Sequence, residues 1–216
     1  MAHTAFSIDN PFGFEYYGDP LEKHTLDNGY TVCVYTDHNA ENPRQAFDHL
    51  GTVVLTTRSS YTFGDEELTP ESLQAIASDK RLISLPIYMY EHSGITINTT
   101  GFSCPWDSGQ IGIIYVDKST AITEFGTPSA KTRRCTPKVR EAALRCLRAE
   151  IDELDAYITG SVYGYAVFDP RGVEVESCWG YYGASRDALD AGIVSAKTYA
   201  QRDDLFAAAA AEADNA

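Results

Sequence analysis

Within EHSGITINTTGFSCPWDSGQIGIIYV, residues 91–116, a histidine, a cysteine, an aspartate and a serine stand within reach of one hairpin. His92, Cys104 and Asp107 could supply a base, a nucleophile and an orienting carboxylate. A reactive cysteine, however, needs an imidazole or a helix N-terminus to stabilise its thiolate, and an oxyanion needs N–H donors. Pro105 follows Cys104 and has no N–H to give. No G-x-S-x-G or Q-A-C-x-G context surrounds either nucleophile. Cys104 therefore reads first as a small buried hydrophobe. Glu91, His92, Cys104 and Asp107 match no metal-ligand spacing, H-E-x-x-H is absent, and the phosphate-cradling glycine patterns are missing, so neither metal nor cofactor is expected. His3, His24, His38 and His49 lie in polar segments and read as solvated, as do the pairs Glu66–Glu67 and Asp203–Asp204. CPWDSGQ then becomes a structural hub. Pro105 stiffens it, Asp107 or Ser108 bonds back to the chain, Gly109 supplies an unusual φ, and Trp106 lies over the sheet as a lid.

Strands must position these residues. RLISLPIYMYEH (81–92) and QIGIIYVDK (110–118) are the strongest strand patterns, and GITINTT between them alternates Ile95 and Ile97 with Thr96 and Asn98. Pro86 predicts an edge position or a bulge. GYTVCVYTD (29–37) and LGTVVLTT (50–57) read as further strands, with a short helical turn between them. Residues 59–79 read as a loop and then a helix from Pro70 capped by Thr69, and 118–126 as another short helix. Over 137–159, Ala143, Leu147, Ile151, Leu154 and Ile158 recur at three- and four-residue spacing, an amphipathic stripe with Thr136 as cap and Gly160 at the exit. Its charges run basic to acidic, against the macrodipole. Residues 160–183 predict a hairpin turning at Asp169-Pro170-Arg171-Gly172, and 185–206 a helix capped by Ser185. Residues 1–29 read as an irregular lead-in and 207–216 as a frayed tail. No repeat or linker divides the chain. The expectation is a single α+β domain over 1–216: a mostly antiparallel sheet with a long amphipathic helix at 137–159 and a C-terminal helix.

An apolar fraction of 44% supplies a core, and 14 tyrosines suit core edges and binding surfaces alike. No apolar run approaches the roughly 18–20 residues of a bilayer span. The opening residues lack a basic region followed by an apolar stretch, so no secretory leader is expected. Five scattered cysteines without a C-x-x-C pair predict neither a disulfide framework nor a zinc site. These features predict a cytoplasmic protein. The net charge of −14 is unevenly spread. Residues 131–148 carry seven basic side chains against Glu141 alone, which leaves ten basic and thirty acidic residues elsewhere. Such a field repels nucleic acid from most of the surface and attracts basic partners.

YMYEHSGITINTTGFSCPWDSGQIGIIYV, followed by ITEFG, a charged helix and LDAYITGSVYGYAVFD, resembles a family of uncharacterised proteins of phages, prophages and other mobile elements. The shared core has the form Y-x-H-S-G … W-D-S-G-Q-x-G-x-I-Y, then a helix ending in T-G-x-V-Y-G-Y/F. The resemblance covers roughly residues 82–183 and carries no mechanism of its own. It implies a setting in which small acidic proteins bind host machinery such as restriction enzymes and CRISPR complexes, whose grooves are basic. The expectation is a non-enzymatic inhibitor of a host nucleic-acid-targeting defence complex, anti-CRISPR in kind, acting by stoichiometric binding as an acidic mimic in the host cytoplasm. Its expected acidic face comprises Asp65, Glu66, Glu67, Glu150, Asp152, Glu153 and Asp155. Two alternatives stay open. One is a hydrolase or modifying enzyme using His92, Cys104 and Asp107. The other is a nucleic-acid-binding accessory protein using the basic patch Arg133, Arg134, Lys138 and Arg140, with Tyr157 and Tyr163 nearby.

Overall fold

The apolar alternations predicted above become strands, and two short charged segments join them. The computed structural model describes residues 19–57, 61–126 and 134–214. In chain order the elements are β1 (Glu22–Thr25), β2 (Thr31–Thr36), α1 (Pro43–Ala46), β3 (Thr52–Thr56), β4 (Glu66–Leu68), α2 (Pro70–Ser78), β5 (Leu82–Glu91), β6 (Ile95–Asn98), β7 (Ser108–Asp117), α3 (Lys118–Phe125), α4 (Pro137–Thr159), β8 (Val162–Phe168), β9 (Glu174–Tyr182) and α5 (Ser185–Asp214). The fold is α+β, with two mostly antiparallel sheets. Where the sequence suggested one domain, the chain divides into two compact units, one from residues 19–40 with 160–214, the other Glu41–Thr159. The boundaries fall in a polar loop and at the end of α4, where no change of composition marks them.

The contiguous unit is built on a five-stranded sheet of order β4-β3-β7-β5-β6, antiparallel except for the parallel pair β3–β4. The stripe of α4 covers it. Leu147, Ile151 and Leu154 are fully buried in one core with Val53, Leu55, Ile83, Ile87 and Ile114. Each such side chain contributes about 1.5–3 kcal/mol by leaving water. Thr136 caps α4 through its Oγ1, which accepts from the Val139 amide (3.3 Å), and Gly160 closes it at φ +72°. Pro86 sits one residue before a register shift at Ile87/Tyr88. Because β6 pairs only with Tyr88–Glu91, the Pro86 half of β5 has a strand neighbour on the β7 side alone, which a residue without an N–H tolerates.

The other unit is a four-stranded antiparallel sheet, β1-β2-β8-β9, with α5 packed on one face. Val32, Val34, Tyr165 and Val167 meet Ala188, Leu189 and Ala196 of the helix. Cys33, Tyr35, Ala166 and Phe168, the alternating positions, form a separate apolar cluster on the other face. The hairpin turns at Asp169–Gly172 as predicted, with Asp169 Oδ1 accepting from the Arg171 and Val173 amides (2.8 and 2.9 Å).

Four local expectations change. β1 lies inside the supposed lead-in: EKHT is wholly exposed and is ordered by pairing with β2. β4 is three residues within the supposed loop, held by β3. Ser185 is the first residue of α5 rather than its cap. The helix also continues to Asp214 through the alanines expected to fray, since alanine is the best helix former. No helix among the described residues is long and apolar enough to cross a membrane.

Candidate functional site

The hub stretch connects β5, β6 and β7 of the contiguous unit. Between β5 and β6 the chain reverses at His92-Ser93-Gly94, where Ser93 takes the left-handed value φ +61°. Asn98 then fixes the start of the next loop. Its Oδ1 accepts from the Thr100 and Gly101 amides (3.0 and 2.7 Å), and its Nδ2 donates to the Gly101 carbonyl (3.3 Å). Gly101 supplies the positive φ, +88°. Further on, Ser108 Oγ donates to the Cys104 carbonyl, the Cys104 thiol to Asp107 Oδ2 (3.4 Å), and the Glu91 amide to the Asp107 carbonyl (2.9 Å). The Tyr90 ring stacks on His92 (centroids 6.3 Å apart) and tilts against Phe102 (5.6 Å).

This geometry does not assemble a nucleophile, base and carboxylate in series. A carboxylate, not an imidazole, faces the Cys104 thiol, while His92 is exposed and its Nδ1 lies 3.2 Å from Ser93 Oγ. Three structural expectations are corrected with it. Cys104 is half-buried rather than a core residue. Gly109 is a strand residue of β7 opposite Met89, without a left-handed φ. Trp106 is 91% exposed, so it is no lid. The Ser108–Cys104 bond closes a tight turn that carries Trp106 out into solvent.

The acidic residues divide sharply. Glu150 is buried and accepts from the Leu50 amide (2.8 Å), the Gly51 amide (3.2 Å) and Arg44 Nη1 (2.9 Å). Arg44, its side chain 4% exposed, also forks onto Asp65 at 3.0 and 2.5 Å and donates to the Gly51 carbonyl. Burial alone would lower the Arg44 pKa, but the bonds and charges of Asp65 and Glu150 hold it above the ordinary value. Asp65 takes the Val53 amide as well (2.7 Å). His49, expected in solvent, has its side chain only 8% exposed beside Glu150, with Nε2 2.8 Å from the Pro43 carbonyl. Asp155 accepts from Thr96 Oγ1 and the Ile97 amide (2.8 and 2.7 Å), so it stitches α4 to β6. Glu150 and Asp155 therefore leave the expected binding face, and Asp65 is largely engaged within the fold. A signal for Glu150 was present: it falls between Leu147 and Leu154 at three- and four-residue spacing, on the buried stripe.

Glu66 and Glu67 stay exposed on the edge strand β4. Asp152 is exposed on α4, where partial burial and the Asp155 charge raise its pKa, and Glu153 is half-buried. Of the expected basic patch, Arg134, Lys138 and Arg140 are exposed around the start of α4, and Arg133 lies outside the described residues. Tyr157 packs against the core of the contiguous unit and Tyr163 against that of the other, so neither is a free stacking surface. Asp203, read as solvated, accepts from the Tyr30 hydroxyl (2.5 Å), and burial first, then Asp203, pushes that phenol up to about 12. An open cleft of about 610 Å³ runs between α2 and the sheet, lined by Leu73, Gln74, Ala77, Met89 and Ile111 among others, and nothing in the sequence announced it. Among the described residues no cluster of His, Cys, Asp and Glu is suited to a metal ion. Comparison with family models, with curated proteins and with solved structures finds no match to this chain.

Proposed function

We propose that the protein is a stoichiometric inhibitor of a host nucleic-acid-targeting defence complex, anti-CRISPR in kind, acting in the host cytoplasm by occupying a basic nucleic-acid groove. The observation that carries this reading is the acid excess, thirty-one acidic against seventeen basic residues. It survives the engagement of Asp65, Glu150 and Asp155 within the fold, because Glu66, Glu67 and Asp152 remain on the surface. The mobile-element setting implied by the resemblance of residues 82–183 supports the same role. Charges on the rim of such an interface act mainly on association, so attraction should weaken with salt.

Titrating the full chain into an RNA-guided nuclease complex with its target DNA tests the reading. Inhibition by binding predicts that DNA binding falls in proportion to the molar ratio and is abolished near equivalence. The double substitution Glu66→Lys, Glu67→Lys should slow association without altering stability. Complete inhibition at far below one equivalent would instead mark an enzyme, and Cys104→Ala or His92→Ala would then abolish it.

A further inference from the structure

Trp106 is 91% exposed, yet the loop that carries it is tied at every turn. Asn98 fixes its entry, Ser108 closes the turn onto the Cys104 carbonyl, Asp107 takes the Cys104 thiol, and the Glu91 amide holds the Asp107 carbonyl. A loop serving only to join β6 to β7 has no reason to fix a large apolar ring in water. A ring presented in water from a backbone that is already ordered is instead a binding anchor, because the loop loses little conformational entropy on docking.

The surrounding charge selects the occupant. From Leu82 to Asp117 the chain has no lysine or arginine, whereas the Asp107 carboxylate adjoins Trp106, and Glu91, whose amide donates to the Asp107 carbonyl, adds a second carboxylate nearby that bonds the Tyr61 hydroxyl. Phosphates of a nucleic acid or an anionic membrane would be repelled from this tip. A second copy of the chain would bring the same carboxylates face to face. A basic protein would gain on both counts.

We propose that the Cys104–Ser108 turn is a preorganised docking element whose Trp106 indole enters an apolar pocket rimmed by arginine or lysine side chains on a basic protein partner. This rests on the inhibitor reading for the identity of the partner, and on the geometry of the tip for its chemistry.

The test uses the full chain with 5-fluorotryptophan at both tryptophan positions. The Trp106 ¹⁹F resonance is assigned by its loss in Trp106→Phe, and Trp179 serves as internal control. A synthetic peptide of alternating arginine and leucine should shift the Trp106 resonance, leave Trp179 in place, and lose its effect at high salt. Oligodeoxythymidine should shift neither. A Trp106 shift with the oligonucleotide, a shift with protein concentration alone, or no shift with the peptide would each overturn the proposal. In the nuclease titration Trp106→Ala, at an exposed position where folding is undisturbed, should weaken binding at least about 30-fold, the scale of a tryptophan hot spot. If the wild-type chain inhibits and Trp106→Ala inhibits equally, the anchor falls and the inhibitor reading stands. If the wild-type chain binds no such complex while the peptide shift holds, the inhibitor reading falls and the anchor stands.

Discussion

Replacing Glu150 by alanine should remove a large share of the margin that holds the contiguous unit together. Its carboxylate is the acceptor for the Leu50 and Gly51 amides and one of two carboxylates neutralising Arg44, whose side chain is 4% exposed. Removing one partner of a buried pair costs about 3–5 kcal/mol, because the other charge is left in a medium that solvates it poorly. Amides that lose their acceptor cost about 1–3 kcal/mol where water does not reach them, a cost that overlaps the first. We therefore expect a loss of about 3–5 kcal/mol against a total of about 5–15 kcal/mol for a domain. Glu150→Gln keeps an oxygen for the amides and should lose less. The pair Arg44→Met with Glu150→Leu removes both charges and should recover part of the loss. Urea denaturation followed by far-UV circular dichroism reads the change, while Trp179 emission, from the other unit, shows which part has melted. A change below about 0.5 kcal/mol for Glu150→Ala, the usual range for surface substitutions, would refute the network and return Glu150 to the binding face.

Asp155→Ala should accelerate hydrogen exchange at the Ile97 amide and cost about 1–3 kcal/mol, and unchanged protection there would contradict the edge contact. Gly164→Ala would place a Cβ 2.2 Å from Trp179 Cε3; overpacking of this kind costs about 1–3 kcal/mol, read as a lowered Tm with altered Trp179 emission. Asp169 is buried, which alone would raise its pKa, but the Val173 and Arg171 amides and the Arg171 guanidinium hold it below the usual carboxylate value. A folded-state value below the unfolded one means that its contribution is present above about pH 4 and lost as pH falls through the folded-state value. The stability difference between the wild-type chain and Asp169→Asn should accordingly shrink in acid, and a difference independent of pH would exclude that assignment.

Elements with a strong local pattern were legible in the sequence. The α4 stripe, its Thr136 cap and the Gly160 exit depend on neighbours in the chain, so their spacing declares them. β1 and β4 carry no such pattern: EKHT and EEL are strands only because β2 and β3 offer them backbone partners. The site suffered from the same division. A reading of charge places every acid in water, but Glu150 and Asp155 are held by Arg44 and by amides of Gly51 and Ile97, which lie roughly 60 to 100 residues away in the chain. Whether Trp106 covers the sheet or leaves it depends on a turn closed by Ser108 onto a backbone carbonyl, and side-chain type does not encode that direction.

The pairing of β2 with β8, Thr31 opposite Phe168, encloses the whole contiguous unit, Glu41–Thr159, within the chain between the two strands. During synthesis the β1–β2 hairpin emerges before its sheet partners and must wait, with Val32 and Val34 uncovered, until residues 162–200 have left the ribosome. The Glu41–Thr159 unit can meanwhile complete all its own strand pairings from chain already made. Folding order thus runs inside out along the sequence, and the early hairpin, not the middle unit, is the segment whose apolar face stays uncovered longest.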